Sequence, residues 1–331
     1  MTARHDVVAV GDALVDVIAP ATEAFLASEG LGKGSREAID SARSHDLYGK
    51  MAPGVLASGG SAANTLAGVV SLGGRAAFIG KVAKDDLGEV FAHDLRAIGV
   101  DFDVPPYVCG LGTGRCLVNV APDGERTMRT WLGDSVALTS DDIAPETIEG
   151  AAVVLLEGYS FQSEAGRAIF DKCAGLARRA GTRIALALSD RSVIERHRQA
   201  LLAFMLREQP LVIANAVEAM SLAETGDLEA AIAALSERVE SFVVTRGEAG
   251  ATLVRGAERR DLRADAVERV VDTTGAGDQY AAGFLFGLAR GRPLETCGRL
   301  GAMAAGEVVG HLGPRPATSL KTQAASRGLL G

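Results

Sequence analysis

Apolar and polar positions alternate along the chain in two rhythms. Near-continuous apolar runs of strand length occupy 7–18, 153–157, 184–188, 211–214 and 242–245, as expected of strands covered on both faces of a parallel sheet. From about residue 151 these runs alternate with helical stretches, the pattern of a doubly wound α/β fold. In the second rhythm single apolar and polar residues take turns, as in Leu117-Val118-Asn119-Val120 and Thr127-Met128-Arg129-Thr130-Trp131. Pro122-Asp123-Gly124-Glu125 between them is a hairpin turn signal. Segments at about 13–20, 33–40 and 114–131 therefore predict a small antiparallel sheet, inserted as a lid into a single domain over 1–331.

Three further stretches read as buried helices built from small residues: 65–71, 279–289 and 299–310. The second follows Asp272-Thr273-Thr274-Gly275-Ala276-Gly277-Asp278. A Gly- and Thr-rich turn entering a helix presents unpaired N–H groups at the positive end of the helix dipole, a place for an anion such as phosphate. Asp278 at the mouth of such a hole suits proton transfer from a hydroxyl that attacks the held phosphorus. The plainer alternative is an N-cap aspartate on an ordinary helix. The helix dipole is expected to depress its pKa.

The first helix is preceded by Ser58-Gly59-Gly60-Ser61-Ala62-Ala63-Asn64, a Gly-Gly turn with an amide one turn in. In the opening run, Asp12 and Asp16 are carboxylates in apolar surroundings, costly unless paired or functional; the alternative is a strand end facing water. Gly30-Leu31-Gly32-Lys33-Gly34-Ser35 misses the order of a P-loop. Gly110–Gly114 leads into a strand-like segment, not a phosphate-binding helix.

Composition narrows the class. The 331 residues are 47 % apolar and 23 % charged, enough for one large core or two modest ones. A net charge of −8 and a pI near 5.3 argue against nucleic acid as partner. No apolar run reaches membrane-span length, and 1–6 lack the apolar segment of a signal peptide, so a cytoplasmic protein with no membrane contact is expected. Cys109, Cys116, Cys173 and Cys297 show no metal-ligand spacing and read as buried apolar residues in a reducing compartment.

The heptapeptide 272–278 resembles the DTxGAGD signature of the ribokinase-like (PfkB) family of carbohydrate and nucleoside kinases. Gly59, Gly60, Asn64, Gly73, Gly80, Asp86 and Gly88 are similar to that family's amino-terminal signature. Asn215-Ala216-Val217-Glu218 resembles its NxxE motif. The resemblance spans nearly the whole chain, in the family's order. It implies Asp278 as catalytic base, the Gly275-Ala276-Gly277 amides as anion hole, and Asp12, Asp16, Gly59, Gly60 and Asn64 on the acceptor. It further implies ATP at Asn215, Thr245, Gly247, Gly275 and Gly277, with Mg²⁺ held by Glu218 through water and a monovalent cation such as K⁺ as a further cofactor. The molecule is expected as a monomer or homodimer.

Segments 11–16, 121–128 and 186–190 are similar to the adenosine-kinase branch, which implies adenosine as acceptor and AMP as product. Relatives there place an aromatic ring after the Ser-Asp step, where this chain has Arg191-Ser192; Tyr159, Phe161 or Trp131 are candidates to stack instead. Ribose or a ketohexose is the alternative acceptor. Arg126 and Arg129 read either as phosphate contacts or as solvated lid charges. The segment 311–316 reads as a wall of the adenine pocket or as plain core. A non-catalytic binding relative would normally have lost Asp278, and a dinucleotide-binding oxidoreductase would need the GxGxxG that Gly11-Asp12-Ala13 does not continue.

Overall fold

The structure, a computed structural model, describes residues 3–108 and 110–330. Cys109 lies outside the described residues. In chain order the strands are β1 (His5–Val10), β2 (Leu14–Pro20), β3 (Arg36–Ala38), β4 (Val55–Gly59), β5 (Ala76–Ile79), β6 (Val100–Asp101), β7 (Thr113–Val120), β8 (Arg126–Gly133), β9 (Ala151–Glu157), β10 (Arg183–Ala187), β11 (Leu211–Asn215), β12 (Ser241–Thr245), β13 (Ala251–Arg255) and β14 (Glu258–Leu262). The helices are α1 (Glu23–Ser28), α2 (Ser41–Lys50), α3 (Ser61–Ser71), α4 (Asp86–Ala97), α5 (Pro145–Glu149), α6 (Glu164–Ala180), α7 (Arg191–Glu208), α8 (Ala216–Ala223), α9 (Leu228–Ser236), α10 (Ala276–Ala289), α11 (Leu294–Val308) and α12 (Leu320–Ser326).

The apolar runs pair into a nine-stranded sheet, ordered β14-β13-β12-β11-β10-β9-β1-β5-β6. All neighbours from β12 to β6 are parallel, and only the β12–β13 and β13–β14 pairs are antiparallel, so β13 alone runs against the rest. Because strand side chains alternate between faces, each central strand feeds two cores. Val8, Val10, Val154 and Leu156 pack with α5 to α9; Val7, Ala9, Val153 and Leu155 pack with α3, α4, α10 and α11. From β1 the chain moves outward through β5 and β6. It then crosses to the other side of β1 with β9 and continues outward to β12. The order therefore reverses between β1 and β9, and the crevice outside the carboxyl ends of two such strands is where α/β sheets take ligands.

The run at 7–18 is divided by Gly11-Asp12-Ala13: β1 lies in the large sheet and β2 in a second, five-stranded sheet ordered β3-β8-β7-β2-β4. This sheet is mixed and not antiparallel as expected, since β2–β7 and β3–β8 are parallel pairs. Strand direction follows from how β2 leaves the main sheet, which no local alternation encodes. Edge strand β4 was not expected in it either; Val55 and Leu56 are exposed there, so the segment lacks a half-buried alternation. Val17, Leu26, Leu31, Leu47 and Leu117 form a core with α1 and α2 on one face. Asp16 lies on the opposite face, in register with Cys116.

Cys116, Cys173 and Cys297 are buried and free, and burial pushes their thiols up to about 12, 12 and 11. They serve as apolar packing. Among the described residues no helix is long and apolar enough to cross a membrane.

Candidate active site

The glycine turn before α10 is set by backbone geometry. Gly275 caps the helix at φ +79°, a left-handed conformation that disfavours side chains. A Cβ there would lie 2.5 Å from Cα and O of Pro314. Asp272 ties the turn together: its Oδ1 accepts the Thr274 N–H (3.0 Å), and its Oδ2 accepts the Gly313 N–H (3.0 Å) and pairs with Arg126 of β8 (2.6 Å). The Ala276 N–H donates back to Thr273 O (3.2 Å) and the Gln279 N–H to Gly275 O (2.8 Å). Among the described residues no acceptor meets the N–H groups of Gly277 and Asp278. Gly277 is exposed, with open space where a Cβ would stand. The mouth of the turn can therefore receive an anion at two free amides and the helix dipole.

Asp278 is the third residue of α10 and not its N-cap. Its Oδ1 accepts from Ser61 Oγ (2.6 Å) and its Oδ2 from Asn64 Nδ2 (3.4 Å), both on the first turn and a half of α3. Its pKa is raised, against the expectation of a depressed one. Burial is the largest cause and outweighs the two hydrogen bonds and the charges of Arg36 and Arg315. Next along α10, Gln279 is buried and donates to Asn64 O (2.8 Å) and Pro314 O (2.9 Å), clamping α3 and the 313–316 loop to the glycine turn.

Across the crevice, Asp12 follows β1 and Asp16 lies in β2. Burial pushes both carboxyls up to about 6; at Asp16 the charges of Arg315 and Arg126 oppose it and Asp278 adds to it. The two aspartates reach α3 because of the glycine pair between them. A Cβ on Gly59 would overlap the Asp16 carboxylate, and Gly60, at φ +91°, would place one 2.5 Å from Asp12 O. The predicted acceptor residues Asp12, Asp16, Gly59, Gly60 and Asn64 thus converge on Asp278.

Sequence reasoning missed three members of this cluster. Glu157 ends β9 beside the strand-order reversal; its Oε2 accepts the Asp12 N–H (3.3 Å). Burial and the neighbouring Asp12 and Asp278 charges hold it well above the usual carboxylate range. A glutamate closing an otherwise apolar strand was its only signal. Ser61 looked like helix-start filler. Arg315 donates from Nε to Asn64 Oδ1 (3.1 Å) and from Nη1 to Ser58 Oγ (2.8 Å).

Further along the same carboxyl edge lie Asn215, Thr245 and Gly247, with Asn215 and Thr245 paired across β11 and β12. Asn215 and Glu218 form a reciprocal cap: Asn215 Oδ1 accepts the Glu218 N–H (2.9 Å), and Glu218 accepts the Asn215 N–H (2.9 Å) and Nδ2 (2.7 Å). Glu218 is pushed up to about 7, mainly by burial, with Asp190 and Asp278 adding to it. It lies in the first turn of α8, directly after the carboxyl end of β11 on the same edge of the sheet.

Several expectations change. Phe161 belongs to the core, edge-on to Phe170 and Phe204, and Trp131 is already covered by Arg115 and His45. Tyr159 remains: it is half-buried, and its hydroxyl is raised by burial and by Asp190, Glu157 and Asp278, which border the site. Arg191 is tied to Glu195 (2.6 Å). Neither of these small-sheet arginines is solvated: Arg126 pairs with Asp272, and Arg129 is spent on Ser35, Met128 O and Glu37.

The doubly wound sheet, the glycine turn on a helix start and the facing carboxylates define a phosphotransferase that acts on an alcohol. The chain belongs to the pfkB family of carbohydrate kinases, whose model matches residues 4–321. It is similar to a solved adenosine kinase from Sinorhizobium meliloti, 44 % identical over 98 % of this chain and 100 % of that one, with a TM-score of 0.92. A solved probable sugar kinase from Rhizobium etli CFN 42 is 41 % identical over 99 % of both chains, with a TM-score of 0.93. Among curated proteins, probable fructokinase-3 of Arabidopsis thaliana is 30 % identical over 241 residues, 70 % of each chain. The protein is a sugar or nucleoside kinase of this family.

Proposed function

We propose that the protein transfers the γ-phosphoryl group of ATP to the 5′-hydroxyl of adenosine, giving AMP and ADP. The observation that carries the acceptor is the end-to-end likeness to the Sinorhizobium meliloti adenosine kinase. Asp16, Asp12, Asn64 and the Gly59-Gly60 backbone hold the sugar hydroxyls, and Tyr159 stacks on the base. The primary hydroxyl lies against Asp278, which takes its proton as the phosphorus–oxygen bond forms. A carboxylate raised by burial is a better base than an ordinary aspartate, and a loose transition state asks little basicity of it. Negative charge on the migrating group meets the free amides of Gly277 and Asp278 at the start of α10, and not the expected Ala276 amide, which already donates to Thr273 O. Asn215, Thr245 and Gly247 line the ATP side.

Mg²⁺, when bound with ATP, neutralises phosphate charge. Among the described residues no three acidic, His or Cys side chains form a metal cluster, and both oxygens of Glu218 already accept a hydrogen bond. Glu218 would hold a magnesium ion through a water that the ion keeps, since magnesium sheds its waters reluctantly. The five-stranded sheet acts as a lid over the acceptor within a single domain. Dependence on a cation such as K⁺ is read by exchanging potassium for choline in the same assay.

A sugar acceptor, ribose or a ketohexose, is the second reading, favoured by the fructokinase and sugar-kinase similarities and by the absence of a ring at Arg191. ADP release from ATP with adenosine, ribose and fructose decides between them. Adenosine with the highest kcat/KM supports the first reading; ribose or fructose ahead of it overturns the acceptor and leaves the kinase.

A further inference from the structure

Arg315 stands in a short loop between two prolines, whose rings limit its backbone freedom. The loop is pinned by Gln279 Nε2 on Pro314 O (2.9 Å), one residue from Asp278. Two of the three guanidinium nitrogens are engaged, on Asn64 Oδ1 and Ser58 Oγ. The third, Nη2, is buried and has no hydrogen-bond partner among the described residues. A buried donor left unpaired is costly unless a bound group pairs it. Asp16, Asp94 and Asp278 are the carboxylates that act on this guanidinium, and Arg315 is the foremost cation acting on Asp16. Asp94 is itself engaged by the Ser58 N–H (3.0 Å), and Asp278 by Ser61 and Asn64. Among the described residues Asp16 therefore remains as the carboxylate of this cluster whose side chain accepts no hydrogen bond.

We propose that Arg315 determines acceptor specificity: Nη2 donates to the acceptor hydroxyl that itself donates to Asp16, while Nε holds the Asn64 amide with Nδ2 turned toward Asp278. The inference rests on the reading of Asp16 and Asn64 as acceptor-binding residues. A hydroxyl held by a carboxylate on one side and a guanidinium on the other has its donor and one acceptor position filled, so an acceptor lacking it leaves two buried charged groups unpaired. The class of acceptor selected is one with a free hydroxyl beside the phosphorylated arm, as on a ribose diol. Lysine would keep the charge but not the fork that spans Asn64, Ser58 and the ligand.

Initial rates of wild type, Arg315→Met and Arg315→Lys with adenosine and 2′- and 3′-deoxyadenosine test this, with ribose and 2-deoxyribose in parallel. With the better acceptor of the two, Arg315→Met raises acceptor KM about tenfold to a hundredfold, while kcat and the KM for ATP stay within about threefold. The penalty for the missing hydroxyl, about tenfold or more in wild type, shrinks to within about threefold. Arg315→Lys shows the same KM rise, less in extent, with an unchanged melting temperature, and serves alone where the methionine variant fails to fold. An unchanged acceptor KM in Arg315→Lys, or a deoxy penalty equal to that of wild type in Arg315→Met, overturns the proposal. Asp16→Ala and Asn64→Ala run alongside: if neither raises acceptor KM, the underlying acceptor site is wrong; if they do and Arg315 variants do not, only this inference fails.

Discussion

Replacing Asp278 by asparagine removes the charge and the basicity while nearly preserving shape. The amide oxygen still accepts from Ser61 Oγ, the shorter of the two bonds at 2.6 Å. The amide nitrogen then faces Asn64 Nδ2, where the native contact is already long at 3.4 Å. One weak hydrogen bond lost costs about 1 kcal/mol, and removal of a desolvated charge offsets part of that, so the fold survives within a stability of about 5–15 kcal/mol. Chemistry does not survive equally well. A positioned acid–base group contributes roughly 10²–10⁴ in rate, about 3–5 kcal/mol of transition-state stabilisation at 1.36 kcal/mol per decade. Coupled ADP-release kinetics, with calorimetric titration of ATP, should therefore show kcat down by that factor, ATP affinity unchanged and the melting temperature within a few degrees. Wild-type kcat itself should fall on the acid side at a higher pH than an ordinary aspartate dictates, because the ionised form is needed and burial raises its pKa. Ser61→Ala removes the shorter bond to that ionised form and should move the fall to higher pH still. An Asp278→Asn enzyme within a few-fold of wild type would refute the reasoning.

Other parts of the site make separate predictions. Gly275→Ala places a side chain in left-handed backbone and a Cβ 2.5 Å from Pro314 backbone atoms; a loss of about 2 kcal/mol or more, with at least a tenfold drop in kcat, is expected by thermal melts and kinetics. Arg126→Ala breaks a buried ion pair between the small sheet and the glycine turn, costing about 3 kcal/mol in urea unfolding; a change below 0.5 kcal/mol would show the pair to be incidental. Glu218→Ala should raise the Mg²⁺ concentration needed for half-maximal rate more than it raises acceptor KM, and an unchanged Mg²⁺ titration reduces the motif to its capping role. Asp12 and Asp16 titrate near 6 in the folded protein against 3.8 for an ordinary aspartate. The folded state therefore binds the extra protons, and the stability this contributes is complete below about pH 4 and lost as pH rises through 6. Scanning calorimetry of the ligand-free protein should find its melting temperature falling from pH 5 to 8; a rise over that interval contradicts the burial of these groups.

Five of the nine strands of the large sheet were legible as apolar runs bounded by turn residues. The run at 7–18 takes in most of β1, and those at 153–157, 184–188, 211–214 and 242–245 fall within one or two residues of β9 to β12. By contrast β5, β6, β13 and β14 were not expected, β14 being a largely charged edge strand. The glycine turn was legible because its chemistry is local: Gly275 and Asp278 are fixed by a helix start that seven consecutive residues encode. The small sheet was half legible, since alternation marks β7 and β8 but carries no information on the direction of β2 or on the exposed edge β4. Strand order belongs to the tertiary structure alone, and with it the reversal between β1 and β9 that sets Glu157 beside Asp12. So does the raised pKa of Asp278: the helix start that depresses it is written in the sequence, whereas the burial that overrides it exists only once the chain has folded, and outweighs even the hydrogen bonds that Ser61 and Asn64 of distant α3 make to the carboxylate. Arg315 illustrates the same division. Its sequence neighbourhood shows a rigid Pro-Arg-Pro loop, but only packing of that loop against α3 and α10 brings its charge to Asp16. Local pattern encodes what backbone sterics and burial periodicity decide, and the electrostatics of a site depend on which distant segments exclude water from it.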